Sequence, residues 1–339
     1  MSCPSPDQAP SAPPRVSVLI PTWNGEEHLR RLLPALRRQA LPGGLELCVM
    51  DSSSSDGTAA VLQAEMERGE WNAGDLCGIS VGTIGRQEFH HARTRNRLAK
   101  SARGEFLVFL SQDALPQGED FLAILLRPFD DDKVVGVTAR VLPHPSHDPL
   151  TRRTVLGDTQ ASAKGSVRCL EGSLPLEALS GADRLDVLRF NNVSSAIRAR
   201  VFDEFPFPDV KFGEDFAWAA RVLSAGWKTV FEPLAVVLHS HRYGPRSAFE
   251  RYRVDAQFHA SIHRHRLRPN LASVVRGIGH EIWSDVGFIL RGGGAPWHLL
   301  RSPGLRTGQV LGQWFGSRAV GRDPGRDPQN PAGSPSGAG

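Results

Sequence analysis

The sequence predicts an α/β protein with a mostly parallel sheet flanked by helices and a helical extension at its C-terminal end. Short apolar runs, which predict buried strands, alternate with segments whose leucines recur at helical spacing. This alternation is typical of βαβ units in a doubly wound sheet. Asp51 directly follows a predicted strand, and Asp113 lies in the segment into which another predicted strand runs. Because such sheets bind ligands outside the carboxyl ends of their strands, both carboxylates are candidates for ligand contact.

The first half of the chain carries the clearest elements. The β-branched run at 16–20 ends at Pro21, and four leucines then recur at helical spacing until Pro42 and two glycines end the pattern. Strands are predicted at 16–20, 45–50, 78–84, 106–110 and 134–141. Helices are predicted at 26–39, from Asp56 onwards, at 91–102 and at 121–126.

The second half is less regular. Residues 144–185 show little periodicity and predict a long loop with short helices, and order returns at 190–198. A helix at 214–225 ends before Gly226, a residue type typical of helix C-termini. Residues 228–238 predict two strands separated at Pro233. Amphipathic helices are predicted at 247–265 and 272–290. The predicted organisation is a disordered N-terminus at 1–14, an α/β domain at 15–245, a helical region at 246–315 and a disordered tail at 316–339.

Composition argues against several function classes. The 339 residues include 40 basic and 36 acidic side chains, and this net charge of +4 is too mild to indicate a nucleic-acid partner. The four cysteines form no CxxC pair, which argues against a zinc site or a disulfide scaffold and favours a reducing compartment. No run of about 18 apolar residues predicts a membrane span, and residues 1–14 lack the apolar region of a signal peptide. The predicted location is cytoplasmic.

Several side chains could bind an anionic, metal-bridged ligand. Asp113 ends a predicted strand, where an aspartate can hold Mg²⁺ or Mn²⁺ on a diphosphate because hard cations take oxygen ligands. The acidic run at 130–132 is an alternative metal site, although a charge run is usually a solvated surface. His239 and His241 are either metal ligands or satisfied structural histidines. Arg95 lies on a predicted helix, where it could pair with a diphosphate or face solvent.

Glu214 and Asp215 open a predicted helix. Acidic residues in a first helical turn are favoured by the helix dipole, which explains most such pairs. The functional alternative is a general base within reach of a substrate hydroxyl. Asp51 could accept hydrogen bonds from a nucleobase or ribose, whereas Asp56 is better explained as a helix cap. The sequence has no GxGxxG, GxxxxGK[ST] or GxSxG segment, which argues against dehydrogenases, P-loop NTPases and α/β-hydrolases.

The order of these segments is more specific than any one of them. Taken together, they resemble the family 2 glycosyltransferases with the Rossmann-like GT-A fold, over about residues 15–265. The segments that carry this resemblance are 16–24, 51–58, 94–96, 109–114, 212–215 and His239. A closer similarity to the bacterial rhamnosyltransferases is carried by 88–96, 111–114, 191–198 and 239–241.

The resemblance implies roles for individual residues. A nucleotide-sugar would be bound by Pro21, Thr22, Asp51, Arg95, Gln112 and Asp113. Asp113 and His239 would hold Mg²⁺ or Mn²⁺ on the diphosphate, and Asp215 would be the catalytic base. The acceptor and sugar pocket would contain Asn191, Asn192, Glu214 and Trp218.

The implied activity is inverting transfer of a sugar, with rhamnose from dTDP-rhamnose favoured, to a hydroxyl of a glycan or lipid-linked acceptor in surface polysaccharide synthesis. The usual DxD metal segment of the family is here Ser-Gln-Asp, with one carboxylate. This departure keeps open an alternative, a non-catalytic homologue that binds a nucleotide-sugar or a glycan. Residues 240–276 contain eight arginines and two acids. They predict either peripheral contact with the inner face of the cell membrane or a solvated surface.

Overall fold

The chain forms two compact units, and the first is built around one sheet. The computed structural model describes residues 14–72, 76–170, 176–210, 212–262 and 266–319, so the predicted disordered termini lie almost entirely outside the described residues. The first unit consists of Met1–His147 with Thr151–His241, and the second of Asp148–Leu150 with Arg242–Gly339. The sequence predicts this boundary at 245.

The sheet is mixed and mostly parallel. Its strands are β1 Val16–Thr22, β2 Leu45–Asp51, β3 Leu76–Thr83, β4 Phe106–Leu110, β5 Leu115–Pro116, β6 Val134–Leu142, β7 Ser166–Arg168, β8 Ser194–Arg198 and β9 Lys228–Leu238. Their spatial order is β3-β2-β1-β4-β8-β6-β9-β5, and β7 pairs with β9. Strands β1 to β4, β6 and β9 share one direction, whereas β5, β7 and β8 run antiparallel to their neighbours.

Helices cover both faces of this sheet. In chain order they are α1 Glu26–Arg37, α2 Thr58–Glu67, α3 His91–Ser101, α4 Phe121–Leu126, α5 Pro149–Leu156, α6 Gly181–Val187, α7 Ala199–Glu204 and α8 Glu214–Ser224. Alternation along β1 supplies both layers of the core. Val18 and Ile20 pack in the cluster that contains the leucines of α1, and Leu19 packs in the other cluster, with Trp218 of α8.

The structure adds detail to the expectations for this unit. Strand β8 lies antiparallel between β4 and β6, within a sheet that is mostly parallel as the sequence predicts. The stretch at 144–185 contains the short helix α5 and the start of the short helix α6, as expected, and also the strand β7, which the sequence did not predict. Residues 228–238 form the single strand β9 instead of two. Its ladder with β6 skips from Glu232 to Val236, since Pro233 has no N–H to donate.

The second unit is helical. It contains α9 Pro245–Ile262, α10 Leu271–Phe288 and α11 Ser302–Ala319, so the last helix extends beyond the predicted end at 315. Helices α9 and α11 pack with their backbones in close approach. A Cβ on Gly308, Gly312 or Gly316 would overlap a backbone carbonyl oxygen of α9. Glycine at these successive turns is therefore what permits the packing.

A buried ion pair joins α10 to α11. Arg306 donates from Nε and Nη2 to the two carboxylate oxygens of Asp285, at 2.8 and 2.7 Å. Arg306 also donates to Gln309, and Ser302 donates to Asp285, so the charged atoms are well satisfied away from water. No helix among the described residues is both long and apolar enough to cross a bilayer.

Candidate active site

A tight turn after β4 carries the first part of the site. Ala114 N donates to Ser111 O at 3.0 Å, and β5 then pairs antiparallel with β9, with Leu115 opposite Leu238. This pairing brings Asp113 to the end of β9. The Asp113 Oδ2 atom lies 3.4 Å from Nε2 of His239 and 3.6 Å from Nε2 of His241.

These three side chains fit a divalent cation. Their ligand atoms all lie within 4.8 Å of one another. Two atoms bound to one ion at about 2.0–2.2 Å can be up to about 4.4 Å apart, and both carboxylate–imidazole distances satisfy this limit. One carboxylate with two imidazoles is also a known donor set for first-row divalent metals. The His239 backbone is held by a hydrogen bond from its N–H to Leu142 O at 2.8 Å.

His241 is the residue that the sequence-based ligand set omits. Sequence reasoning identifies the His-Ser-His segment but takes only His239 as a ligand. In an extended segment, side chains two residues apart point to the same side. This spacing was the signal in the sequence for including both histidines in the ligand set. The rival acidic run at 130–132 is exposed, and Asp131 pairs with Lys228 at 2.9 Å. It does not join the described metal-ligating group.

The ends of β1 and β2 form the second part of the site. Thr22 and Asp51 lie opposite each other in the parallel ladder, at the carboxyl ends of their strands as the sequence predicts. Asp51 is buried and accepts hydrogen bonds from the hydroxyl of Ser54 at 2.5 Å and from its N–H at 3.1 Å. Pro21 precedes this pair and is half-buried. The loop after β2 therefore orients the Asp51 carboxylate.

Gln112 ties the two parts together. Its Oε1 accepts from the hydroxyl of Thr22 at 2.5 Å and from Trp23 N at 2.9 Å, and its Nε2 donates to Trp23 O at 3.1 Å. The amide is thus engaged with the β1–α1 loop, next to Asp113 in the chain. Sequence reasoning missed a further contact of this loop, the Arg86 guanidinium 3.9 Å from the Trp23 ring centre.

The third part of the site lies at the start of α8. Gly213 adopts a φ of +78°, which turns the chain into the helix, and Asp215 follows in the first turn. Asp215 accepts from Phe216 N at 2.9 Å and from Asn192 N at 3.4 Å. Burial raises the pKa of Asp215 to about 7, and the neighbouring negative charge of Glu214 adds to the effect.

The segment before β8 joins this part to the metal-ligating group. Leu110 pairs with Ser194, and Ser111 N donates to Val193 O at 3.0 Å. The Asp113 turn and the Asn192–Asp215 contact therefore lie at the same edge of the sheet. Asn191 is half-buried, accepts from Val193 N at 2.9 Å and donates to Gln160.

Arg95 and Glu214 are placed differently from the sequence expectation. Arg95 Nη1 donates to Glu214 Oε1 at 2.7 Å, and each side chain is less than a tenth exposed. Asn192 Nδ2 approaches the same oxygen at 3.4 Å. The sequence did not predict this buried ion pair of Arg95. Glu214 correspondingly faces Arg95 and Asn192 in the interior.

Trp218 also needs correction, because it is a core residue. Its side chain is fully buried, its Nε1 donates to Phe205 O at 2.8 Å, and its ring lies 4.8 Å from that of Phe190. A side chain sealed in this way cannot contact an acceptor. Trp218 instead supports the first turn of α8, three residues after Asp215.

Comparisons with known proteins agree with this geometry. Residues 17–173 match the family model described as glycosyl transferase family 2. The O-antigen chain rhamnosyltransferase RfbN of Salmonella typhimurium is 30% identical over 295 residues, covering 85% of both chains. WbaN of Salmonella anatum, also described as an O-antigen chain rhamnosyltransferase, is 29% identical over 301 residues, again covering 85% of both.

A solved structure shares the fold. The mannosyltransferase PcManGT from Pyrobaculum calidifontis, in complex with GDP-Man and Mn²⁺, superposes with a TM-score of 0.56 and 20% identity. The match covers 92% of this chain and 87% of that one, so the fold is GT-A. The matched family model and RfbN, whose similarity extends over most of both chains, show that the protein is a glycosyltransferase and belongs to glycosyltransferase family 2.

Proposed function

We propose that this enzyme is an inverting rhamnosyltransferase. It moves rhamnose from dTDP-rhamnose to a hydroxyl group of a glycan or lipid-linked acceptor in surface polysaccharide synthesis. It works in the cytoplasm, at the inner face of the cell membrane. The similarity to RfbN and WbaN, both described as O-antigen chain rhamnosyltransferases, supports the rhamnosyl donor and the acceptor class.

The observation that carries the proposal is the Asp215 carboxylate at the start of α8. Its pKa of about 7, raised by burial, suits a group that must accept a proton near neutral pH. Asp215 takes the proton of the acceptor hydroxyl, and the acceptor oxygen forms a bond to the anomeric carbon. The bond from that carbon to the diphosphate oxygen breaks on the opposite side, and its electron pair leaves with the diphosphate. One such displacement inverts the configuration.

The chain's own metal ligands would be Asp113, His239 and His241. A bound divalent ion supplies charge stabilisation to the departing diphosphate. Two imidazole nitrogens favour Mn²⁺ over the harder Mg²⁺, which prefers oxygen ligands. Asp51 and Thr22, with Pro21 beside them, would hold the base and ribose, since ligands of such sheets bind at these strand ends.

The remaining polar residues would act by positioning. Gln112 links the β1–α1 loop to the Asp113 turn through three hydrogen bonds. Asn192 holds Asp215 from one side, and Asn191, half-buried on the same segment, is the better candidate for contact with a sugar. Arg95 and Glu214 hold the start of α8 instead of contacting donor or acceptor.

Donor binding tests the proposal directly. The purified protein is titrated with dTDP-rhamnose, UDP-glucose and GDP-mannose, with and without Mn²⁺ or Mg²⁺, and its melting temperature is followed. A ligand that binds the native state raises the melting temperature by mass action. We expect a metal-dependent rise with dTDP-rhamnose that is lost in Asp113→Ala. The matched control is Asp130→Ala, an exposed aspartate of the rival acidic run.

The possible results test the donor, the catalytic activity and the metal site separately. A rise with another nucleotide-sugar alone replaces the donor and leaves the transferase chemistry standing. If dTDP-rhamnose raises the melting temperature but no radiolabelled rhamnose is transferred to acceptor in a lipid extract, the result favours the non-catalytic homologue. An equal loss of binding in Asp113→Ala and Asp130→Ala removes the metal assignment.

A further inference from the structure

An unusual number of apolar side chains is exposed in the second unit. Six large ones between 271 and 300 are each 68–86% exposed: Leu271, Val275, Trp283, Leu290, Trp297 and Leu300. They are six of the thirteen large apolar side chains that are exposed anywhere in the described residues. We refer to these six as the apolar surface. Four of the six lie on α10 or directly after it, and two lie in the turn at Pro296–Arg301. Large exposed apolar patches mark interaction sites.

Helix α10 is apolar on two opposite sides. Val274, Gly277 and the ion-paired Asp285 lie on its buried side. At about 100° per residue, Val275 and Trp283 fall within about 80° of each other on the side turned away from that contact. Gly279 lies between them, and nothing lies within contact distance of its Cβ position. The side of α10 that carries Val275 and Trp283 is exposed in this structure. An apolar partner would therefore bury a second side of this helix.

The charges beside the apolar surface have one sign. Arg276 follows Val275 on the same side of α10, and Arg291 follows Leu290; both are exposed. The acids between 271 and 301 are Glu281 and Asp285. At about 100° per residue, Glu281 falls on the same side of α10 as the buried Val274 and Asp285. The charge of Asp285 is balanced by its ion pair with Arg306. Exposed arginines therefore border exposed tryptophans without an exposed acid among them.

We propose that the apolar surface docks this protein on an anionic lipid bilayer, with α10 lying in the headgroup region. Tryptophan is favoured at this depth because its ring is apolar and its N–H finds a polar partner. Arginine complements the anionic lipids of the cytoplasmic leaflet. A second copy of the chain is a poorer occupant. A two-fold interface would place the same arginines against each other. The inference rests on the membrane location in the proposed function, but not on its sugar or its chemistry.

Of the eight arginines in 240–276, Arg276 borders the apolar surface, whereas three others are paired within their own unit. On α9, Arg251 pairs with Asp255 at 3.2 Å and Arg253 pairs with Glu250 at 2.9 Å. Arg268 donates to Gln313 of α11 at 2.9 Å. These arginines are engaged within their own unit, whereas the exposed tryptophans lie on α10 and in the turn at Pro296–Arg301.

Vesicle flotation of the full-length protein tests the docking surface. The vesicles contain phosphatidylethanolamine with phosphatidylglycerol, or phosphatidylcholine alone. We expect flotation with the anionic vesicles and at least about a tenfold weaker partition for Trp283→Ala with Trp297→Ala, since each ring removes a large apolar area. Arg276→Gln with Arg291→Gln should remove most of the preference for anionic lipid, about fivefold per arginine. Leu234→Ala, an exposed apolar residue of the first unit, is the matched control.

The outcomes separate docking from catalysis. The tryptophan variant should retain its melting temperature and its donor-induced shift, because both rings are exposed and lie outside the first unit. Absence of flotation for the wild-type protein, or equal flotation for wild type and the tryptophan variant, overturns the docking surface. If the wild-type protein sediments as a dimer and the tryptophan variant as a monomer, a second copy occupies the surface and the lipid proposal is wrong. None of these results bears on rhamnosyl transfer.

Discussion

Replacing Asp215 with asparagine should have opposite effects on activity and on stability. Burial raises the pKa of this carboxyl to about 7 from a reference of 3.8. Between these two pH values the native protein binds a proton that the unfolded chain has released. The free energy of unfolding of the wild-type protein therefore decreases as pH rises through this window. Asparagine does not ionise, so the Asp215→Asn variant lacks this decrease.

The magnitude follows from the two pKa values. Asp215 is half-buried, and at about 1.4 kcal/mol per pKa unit its ionisation lowers the free energy of unfolding by at most about 4 kcal/mol above pH 8. Part of this loss is already present at pH 5, so the pH-dependent advantage of the variant is about 2–3 kcal/mol between pH 5 and pH 8. The asparagine amide also faces the Asn192 N–H, and this lost hydrogen bond costs about 1–3 kcal/mol at every pH.

The assay is urea unfolding of both proteins at pH 5, 6, 7 and 8, with rhamnosyl transfer measured in parallel. Asp203→Asn, the same change at an exposed aspartate, is the control and should give a curve parallel to that of the wild type. Transfer by Asp215→Asn should fall by about 10²–10⁴. Wild-type kcat/KM should fall about tenfold per pH unit below pH 7, as the base is protonated. Parallel stability curves for Asp215→Asn and wild type would refute the burial argument, and near-normal transfer would refute the assignment of the base.

Three further predictions concern other parts of the molecule. His241→Ala should weaken Mn²⁺ binding by about 10–100-fold, measured by calorimetry on the apo protein; unchanged affinity would mean that the metal ligands are Asp113 and His239 alone. Arg95→Met should lower the free energy of unfolding by about 3–5 kcal/mol, because Glu214 is left buried without its partner. The double variant with Glu214→Leu should recover most of this lost stability. No recovery in the double variant would contradict the pairing. Gly312→Ala should lower the melting temperature by several degrees through overlap with a carbonyl of α9, whereas Gly279→Ala on an open helix surface should not.

Much of the first unit was predictable from local pattern. The strands at 16–22, 45–51 and 106–110 and the helices between them lie within a few residues of their predicted positions, because alternation and leucine spacing report which face each segment buries. The predicted strand ends also identified Asp51 and Asp113 as candidate site residues. A residue that ends a parallel strand lies at the ligand-binding edge of the sheet whatever the rest of the fold does.

The sequence by itself determined the family resemblance, the parallel half of the sheet and the strand-end carboxylates, since each depends on short segments in a fixed order. Only the tertiary structure decided which distant side chains meet. Arg95 pairs with Glu214 across 119 positions, and Trp218 is sealed by Phe190 and Phe205. His241 joins Asp113 because β5 pairs with β9. Such contacts depend on strand order and packing between elements far apart in the chain, and local periodicity carries no information about them.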